Sequence, residues 1–171
     1  MKQVVKHVPD TARQRAEKGI ISPKPELLEL GECIYRFASS ERKTFGYQAG
    51  EWWIREADFD EIVARAARKG VDLEQKAHWD LAVLPSWSKM NIVIKARVKG
   101  RVWAWVGLAK PQQELSPNGR AIHMYGHRKI RQLFIDDVIK RDEKGAMVSL
   151  SPRSWQALAM VGAKAIPSAP I

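Results

Sequence analysis

The sequence predicts an α+β domain built on a mainly antiparallel, split or curved sheet, with two central helices and a flexible N-terminal arm. Two observations carry this. Asn91 to Val98 and Arg101 to Leu108 alternate apolar and polar residues, the period of strands with one buried face. Asp58 to Gly70 and Asp72 to Pro85 place apolar residues at helical spacing behind capping-type side chains.

The elements follow in chain order. Residues 1–30 read as an arm and linker: Asp10 is placed to cap a short helix over Ala12 to Lys18, ended by Gly19, and Ser22-Pro23-Lys24-Pro25 reads as extended chain. The globular domain spans 31–160. Cys33 to Ala38 is a short, mostly apolar strand, and Ser39 to Gly50 a polar loop. Glu51 to Arg55 is extended, and Asp58 with Glu61 forms a capping box for a helix whose Phe59, Ile62, Val63, Ala66 and Ala67 share a face. Asp72 with Gln75 starts a second helix, with Leu73, Ala77, Leu81 and Leu84 inward, stopped by Pro85. Lys99-Gly100 is read as the turn of a hairpin joining the two alternating strands.

Lys110 to Arg120 is a loop, and Ala121 to Tyr125 a strand broken by Gly126. Residues 127–141 fit two periods. Leu133-Phe134-Ile135 suits a strand followed by a turn at Asp136-Asp137, whereas Ile130, Leu133, Phe134 and Val138 suit a helix. A short helix is expected around Trp155, and residues 161–171 read as a loose tail.

Composition narrows the function classes. At 171 residues with 45% hydrophobic and 28% charged side chains, the chain has the make-up of one globular domain. No apolar run reaches the ~20 residues needed to span a bilayer, and Met1 to His7 lacks a signal-peptide core. The lone Cys33 allows no internal disulfide and suits a reducing, cytoplasmic setting. The net charge of +10 favours an acidic or phosphate-bearing partner, protein or nucleic acid.

Several chemistries find no support. His7, His78, His123 and His127 lack metal-ligand spacing, so no metal is expected. There is no Gly-x-Ser-x-Gly elbow and no glycine-rich phosphate loop. Arg120, Arg128, Lys129 and Arg131 form a basic stretch suited to phosphates of nucleic acid or an acidic partner, or to solvent alone. Arg36 stands out because its strand neighbours are apolar. A guanidinium there needs a partner: a bidentate phosphate, or a carboxylate such as Glu32, Glu51 or Glu56. The adjacent Trp52 and Trp53 point to opposite faces of an extended chain.

From Gly31 to Asp137 these pieces resemble the ADP-ribosyltransferase fold of bacterial toxins, effectors and phage proteins. Tyr35-Arg36 matches its arginine strand, Gly50-Glu51-Trp52-Trp53-Ile54 its middle strand, and Asn91 to Leu108 and Arg131 to Ile135 its later strands. The resemblance implies NAD as substrate, with Arg36 on the diphosphate, Tyr35, Trp52 and Trp53 around the nicotinamide, and Gln132 nearest the catalytic position. The family's middle-strand Ser or Thr is replaced by Ile54, and its catalytic glutamate by Gln132 or, in the preceding loop, Glu114. A competing resemblance, of Gly126-His127-Arg128-Lys129-Ile130-Arg131 to the box of ParB and sulfiredoxin-type domains, implies a nucleotide- or DNA-directed module with 127–141 helical. A third reading is an accessory protein of a mobile element that blocks a host enzyme.

Overall fold

Pairing in the sheet, more than any single element, places the candidate site. The computed structural model describes residues 11–41, 50–136, 138–141, 147–150 and 156–167. It is α+β. Among the described residues, seven strands form one sheet in the order β1-β5-β8-β3-β2-β4-β11, with every pairing antiparallel. The strands are β1 (Ile20–Leu27), β2 (Cys33–Ala38), β3 (Trp52–Arg55), β4 (Ile92–Val98), β5 (Trp103–Ala109), β6 (Gln112–Leu115), β7 (Ala121–Met124), β8 (Arg131–Phe134), β9 (Ile139–Arg141), β10 (Met147–Leu150) and β11 (Leu158–Ala165). The helices are α1 (Ala12–Ala16), α2 (Glu56–Lys69) and α3 (Leu73–Asp80). β6 with β7, and β9 with β10, form separate two-stranded ribbons.

The split expected of the sheet lies within β3. Its first half pairs with β8, at Trp52↔Phe134 and Trp53↔Leu133. Its second half pairs with β2, at Ile54↔Tyr35 and Arg55↔Ile34. One face of the sheet carries the main core, including Ile34, Trp53, Ile94, Leu133 and Ile135. The opposite face packs Tyr35, Phe37 and Ile54 under α2 and α3 through Ile62, Ala77 and Leu81. No helix among the described residues is long and apolar enough to cross a membrane.

Several local expectations are revised. β4 and β5 do not form a hairpin: β4 lies between β2 and β11, and β5 between β1 and β8. The connection instead passes its backbone to other segments, Lys99 N–H donating to the Ala157 carbonyl and the Val102 carbonyl accepting from Leu28 N–H. The supposed linker joins the sheet as edge strand β1, where Pro23 and Pro25 are tolerated because one side has no neighbour, and the register shifts between Ile21 and Lys24. The chain end is likewise recruited, since β11 pairs with β4 as far as Ala165.

Thr11 rather than Asp10 caps α1, in a capping box with Gln14. α2 begins two residues early, with Arg55 at its N-cap and no side-chain cap, so Asp58 lies inside the first turn. Gly70 ends it in the left-handed region, as the spacing implied. Gln112–Leu115 is a strand within the expected loop. Residues 131–134 and 139–141 are strands, which removes the helix that the ParB-type resemblance requires. The helix expected around Trp155 falls largely outside the described residues.

Candidate functional site

Arg36 sits where β2 and β3 part. β2 pairs with β4 along its whole length, but with β3 only at Ile34 and Tyr35. Alternation puts Arg36 on the face of Ile34 and Ala38, which also carries Trp53. The side chain is buried, 7% exposed. Its guanidinium lies against the Cα of Gly50: a Cβ built there would fall 1.4 Å from Nη1 and 1.8 Å from Cζ. A glycine is what makes this seat.

The Gly50-Glu51 backbone is fixed from several sides. The Trp53 indole N–H donates to the Gly50 carbonyl at 2.7 Å, and Ile135 N–H donates to the Glu51 carbonyl at 2.8 Å. Glu51 is buried, 5% exposed, and accepts from Arg15 Nη1 at 2.9 Å. The second Arg15 amine donates to Asp136, which follows β8. Arg15 reaches this place because Ala16 of α1 is fully buried beside Phe134, whose ring lies 5.4 Å from the Arg15 guanidinium carbon. One arginine thus holds two carboxylates, one from each side of the β3–β8 pairing.

Of the residues nominated from sequence, Arg36 and Trp53 share one face of the sheet and each meets Gly50. Trp52 lies on the other face of β3, edge-on to Phe134 at 4.9 Å, with its ring against Gly19. Tyr35 also points away, stacked on Phe59 at 4.2 Å and donating to Glu56 at 2.9 Å. Burial raises its pKa, and the Tyr35 and Glu56 contacts raise that of Lys95, which lies over the Tyr35 ring. Gln132 is on the face opposite Trp53, buried, and donates to the Leu81 carbonyl at 2.6 Å. It anchors α3 to the sheet and does not join Arg36. Glu114, the other glutamate considered, lies on β6 within bonding reach of the Ser86 hydroxyl.

The basic stretch is dispersed. Arg120 follows the β6–β7 turn, Arg128 and Lys129 are exposed ahead of β8, and Arg131 lies 4.0 Å from Glu26. An open groove of about 510 Å³ occupies the helix side of β2, away from Arg36, lined by Cys33, Arg55, Glu56, Lys95 and Arg97. Its cations are already engaged: Arg55 by Glu26 and Glu32, Lys95 by Glu56, and Arg97 by the Gly31 carbonyl. Among the described residues no group of three or more His, Cys, Asp or Glu is placed to hold a metal ion.

Sequence reasoning missed Arg15 and Asp136. Glu51 was named from sequence only as one of three carboxylates suited to Arg36, and its bond to Arg15 spans 36 residues, a range that leaves no local signature.

No known family profile matches the chain, and no curated protein matches it. Among solved structures it is similar to a chain of "Rhs1-CT in complex with cognate immunity protein RhsI1", at 20% identity over 87% of this chain and 85% of that one, with a TM-score of 0.49. It is also similar to a chain of "Structure of Tne2 in complex with Tni2", at 13% identity over 85% and 93%, with a TM-score of 0.48. Both are likenesses in chain path only, too loose to transfer a partner or an activity to this chain.

Proposed function

We propose that this protein is an NAD-binding, ADP-ribosyltransferase-like domain that modifies or blocks a macromolecular target. One observation carries the reading: a guanidinium seated on the Cα of a glycine, at the point where the sheet splits and on the face that carries the buried Trp53. The planar fork of a guanidinium suits two oxygens of a diphosphate, and an arginine is preferred to a lysine for that bidentate task. Trp53, through its indole N–H, holds the Gly50 carbonyl and so fixes the backbone on which the guanidinium rests. Gly50 leaves the space that a Cβ would fill.

In this reading Arg36 grips and orients the dinucleotide. Gln132 is set aside in this reading, because it lies on the face opposite Trp53 and its amide donates to the Leu81 carbonyl. Glu51, next to Gly50 in the chain, and Asp136 are both held by Arg15. They, and not Gln132, separate an active transferase from a form that binds NAD without turnover. The target is macromolecular and acidic, in keeping with the net charge of +10.

Calorimetric titration with NAD tests the reading, together with labelled NAD in cell extract to detect label transfer and free nicotinamide. Replacing Arg36 with Ala removes charge-assisted hydrogen bonds worth about 1.5–3 kcal/mol, so NAD binding should weaken roughly ten- to a hundredfold. An Arg36→Ala protein that is folded and binds NAD as tightly as the parent would end the proposal.

A further inference from the structure

A second surface stands apart from the Arg36 seat and rests on different observations. His123 and Tyr125, two apart on and just beyond β7, present stacked rings with centroids 5.9 Å apart and planes 11° apart. Tyr125 is 70% exposed, and Trp79, at the end of α3, is 39% exposed. Two backbone hydrogen bonds dock the turn after β7 onto α3: Gly126 N–H to the Trp79 carbonyl at 3.1 Å and His127 N–H to the Asp80 carbonyl at 2.9 Å. Gly126 permits this turn through its positive φ of 73°. The same turn carries Arg128 and Lys129, both exposed, and Arg128 lies three positions after Tyr125, a reach of about 11 Å at most.

Among the described residues, the acids around this turn are paired with other cations. Asp80 is buried and held by Lys76 at 2.6 Å and by Arg65 at 3.1 Å. Glu61 pairs with Arg68 at 2.9 Å. Tyr125, and the part of Trp79 not covered by Lys76 Nζ at 5.7 Å from its ring centroid, lie beside the positive charge of Arg128 and Lys129 and suit a polyanion with π-faces. A duplex hides those faces in its stack, whereas a single strand offers both bases and phosphates.

We infer that this face binds single-stranded nucleic acid, with bases stacking on Tyr125 and Trp79 and phosphates meeting Arg128 and Lys129. The inference does not depend on NAD binding. The test is fluorescence anisotropy of the full chain with labelled oligothymidylate and oligouridylate, and with a duplex of equal length. Binding should weaken about sevenfold between about 50 and 200 mM salt, as two phosphate contacts on a single strand imply. Tyr125→Ala, at a position too exposed to disturb the fold, should weaken it roughly tenfold. Arg128→Ala with Lys129→Ala should flatten the salt dependence. Three results would each overturn the inference: no binding at low salt, which leaves the face to a protein partner; Tyr125→Ala binding as the parent does; or a duplex bound as tightly as the single strand.

Discussion

Replacing Gly50 with Ala tests the seat of Arg36 directly. The new methyl would lie 1.4 Å from Nη1, 1.8 Å from Cζ and 2.4 Å from Nη2, against a floor of 3.0 Å that real Cβ contacts respect. The guanidinium would have to retreat by more than an ångström, and at 7% exposure it has little solvent to retreat into. Overpacking of this kind costs about 1–3 kcal/mol. The backbone itself adds no penalty, because Gly50 is not among the glycines with positive φ. An unstrained Gly→Ala change stabilises by about 0.4–1 kcal/mol through the unfolded chain, so the net expectation is a loss of about 1–2 kcal/mol.

Gly162 is the matched control: a Cβ there meets nothing within 4 Å, and its φ is likewise not positive. Urea denaturation should show a lower midpoint for Gly50→Ala at unchanged slope, and no loss for Gly162→Ala. NAD titration should show weakened binding for the first variant alone. If Gly50→Ala proved as stable as Gly162→Ala and bound NAD normally, the geometry proposed for Arg36 would be wrong.

Arg15→Ala should cost about 2 kcal/mol, below the usual loss for a fully buried pair because Arg15 keeps 23% of its side chain in solvent. Adding Glu51→Gln should recover part of that loss, and a single variant within 0.5 kcal/mol of the parent, about the scatter of surface changes, would refute the two-carboxylate clamp. His127 supplies a pH signature. Burial first, then the Arg65 charge, lowers its pKa from the ordinary 6.5, so below that value the unfolded chain binds more protons than the folded one. Stability should therefore fall as pH drops from about 6.5 towards the folded pKa, and His127→Asn should lessen the fall. Equal pH slopes in denaturation of parent and variant would contradict this.

What the chain reveals by itself is local period and local stops. Ile92, Ile94, Ala96 and Val98 are buried on one face, as alternation requires. α2 ends at Gly70, where a left-handed residue is needed. Arg36 was visible because a cation among apolar neighbours is costly anywhere.

Pairing, by contrast, was decided only in three dimensions. Alternation says that a strand has two faces, not which backbone edge lies beside it. β4 and β5 therefore look like a hairpin yet sit in different halves of the sheet, and two prolines that rule out a helix still allow the sheet edge. The same ambiguity hid the site's makeup. Trp53 rather than Trp52 shares the face of Arg36 because Ile54 pairs with Tyr35, and Gln132 turns to the far face because its neighbour Leu133 pairs with Trp53. Arg15 reaches Glu51 across 36 residues and Asp136 across 121. No spacing rule encodes contacts at that range, since they exist only once α1 is packed on Phe134.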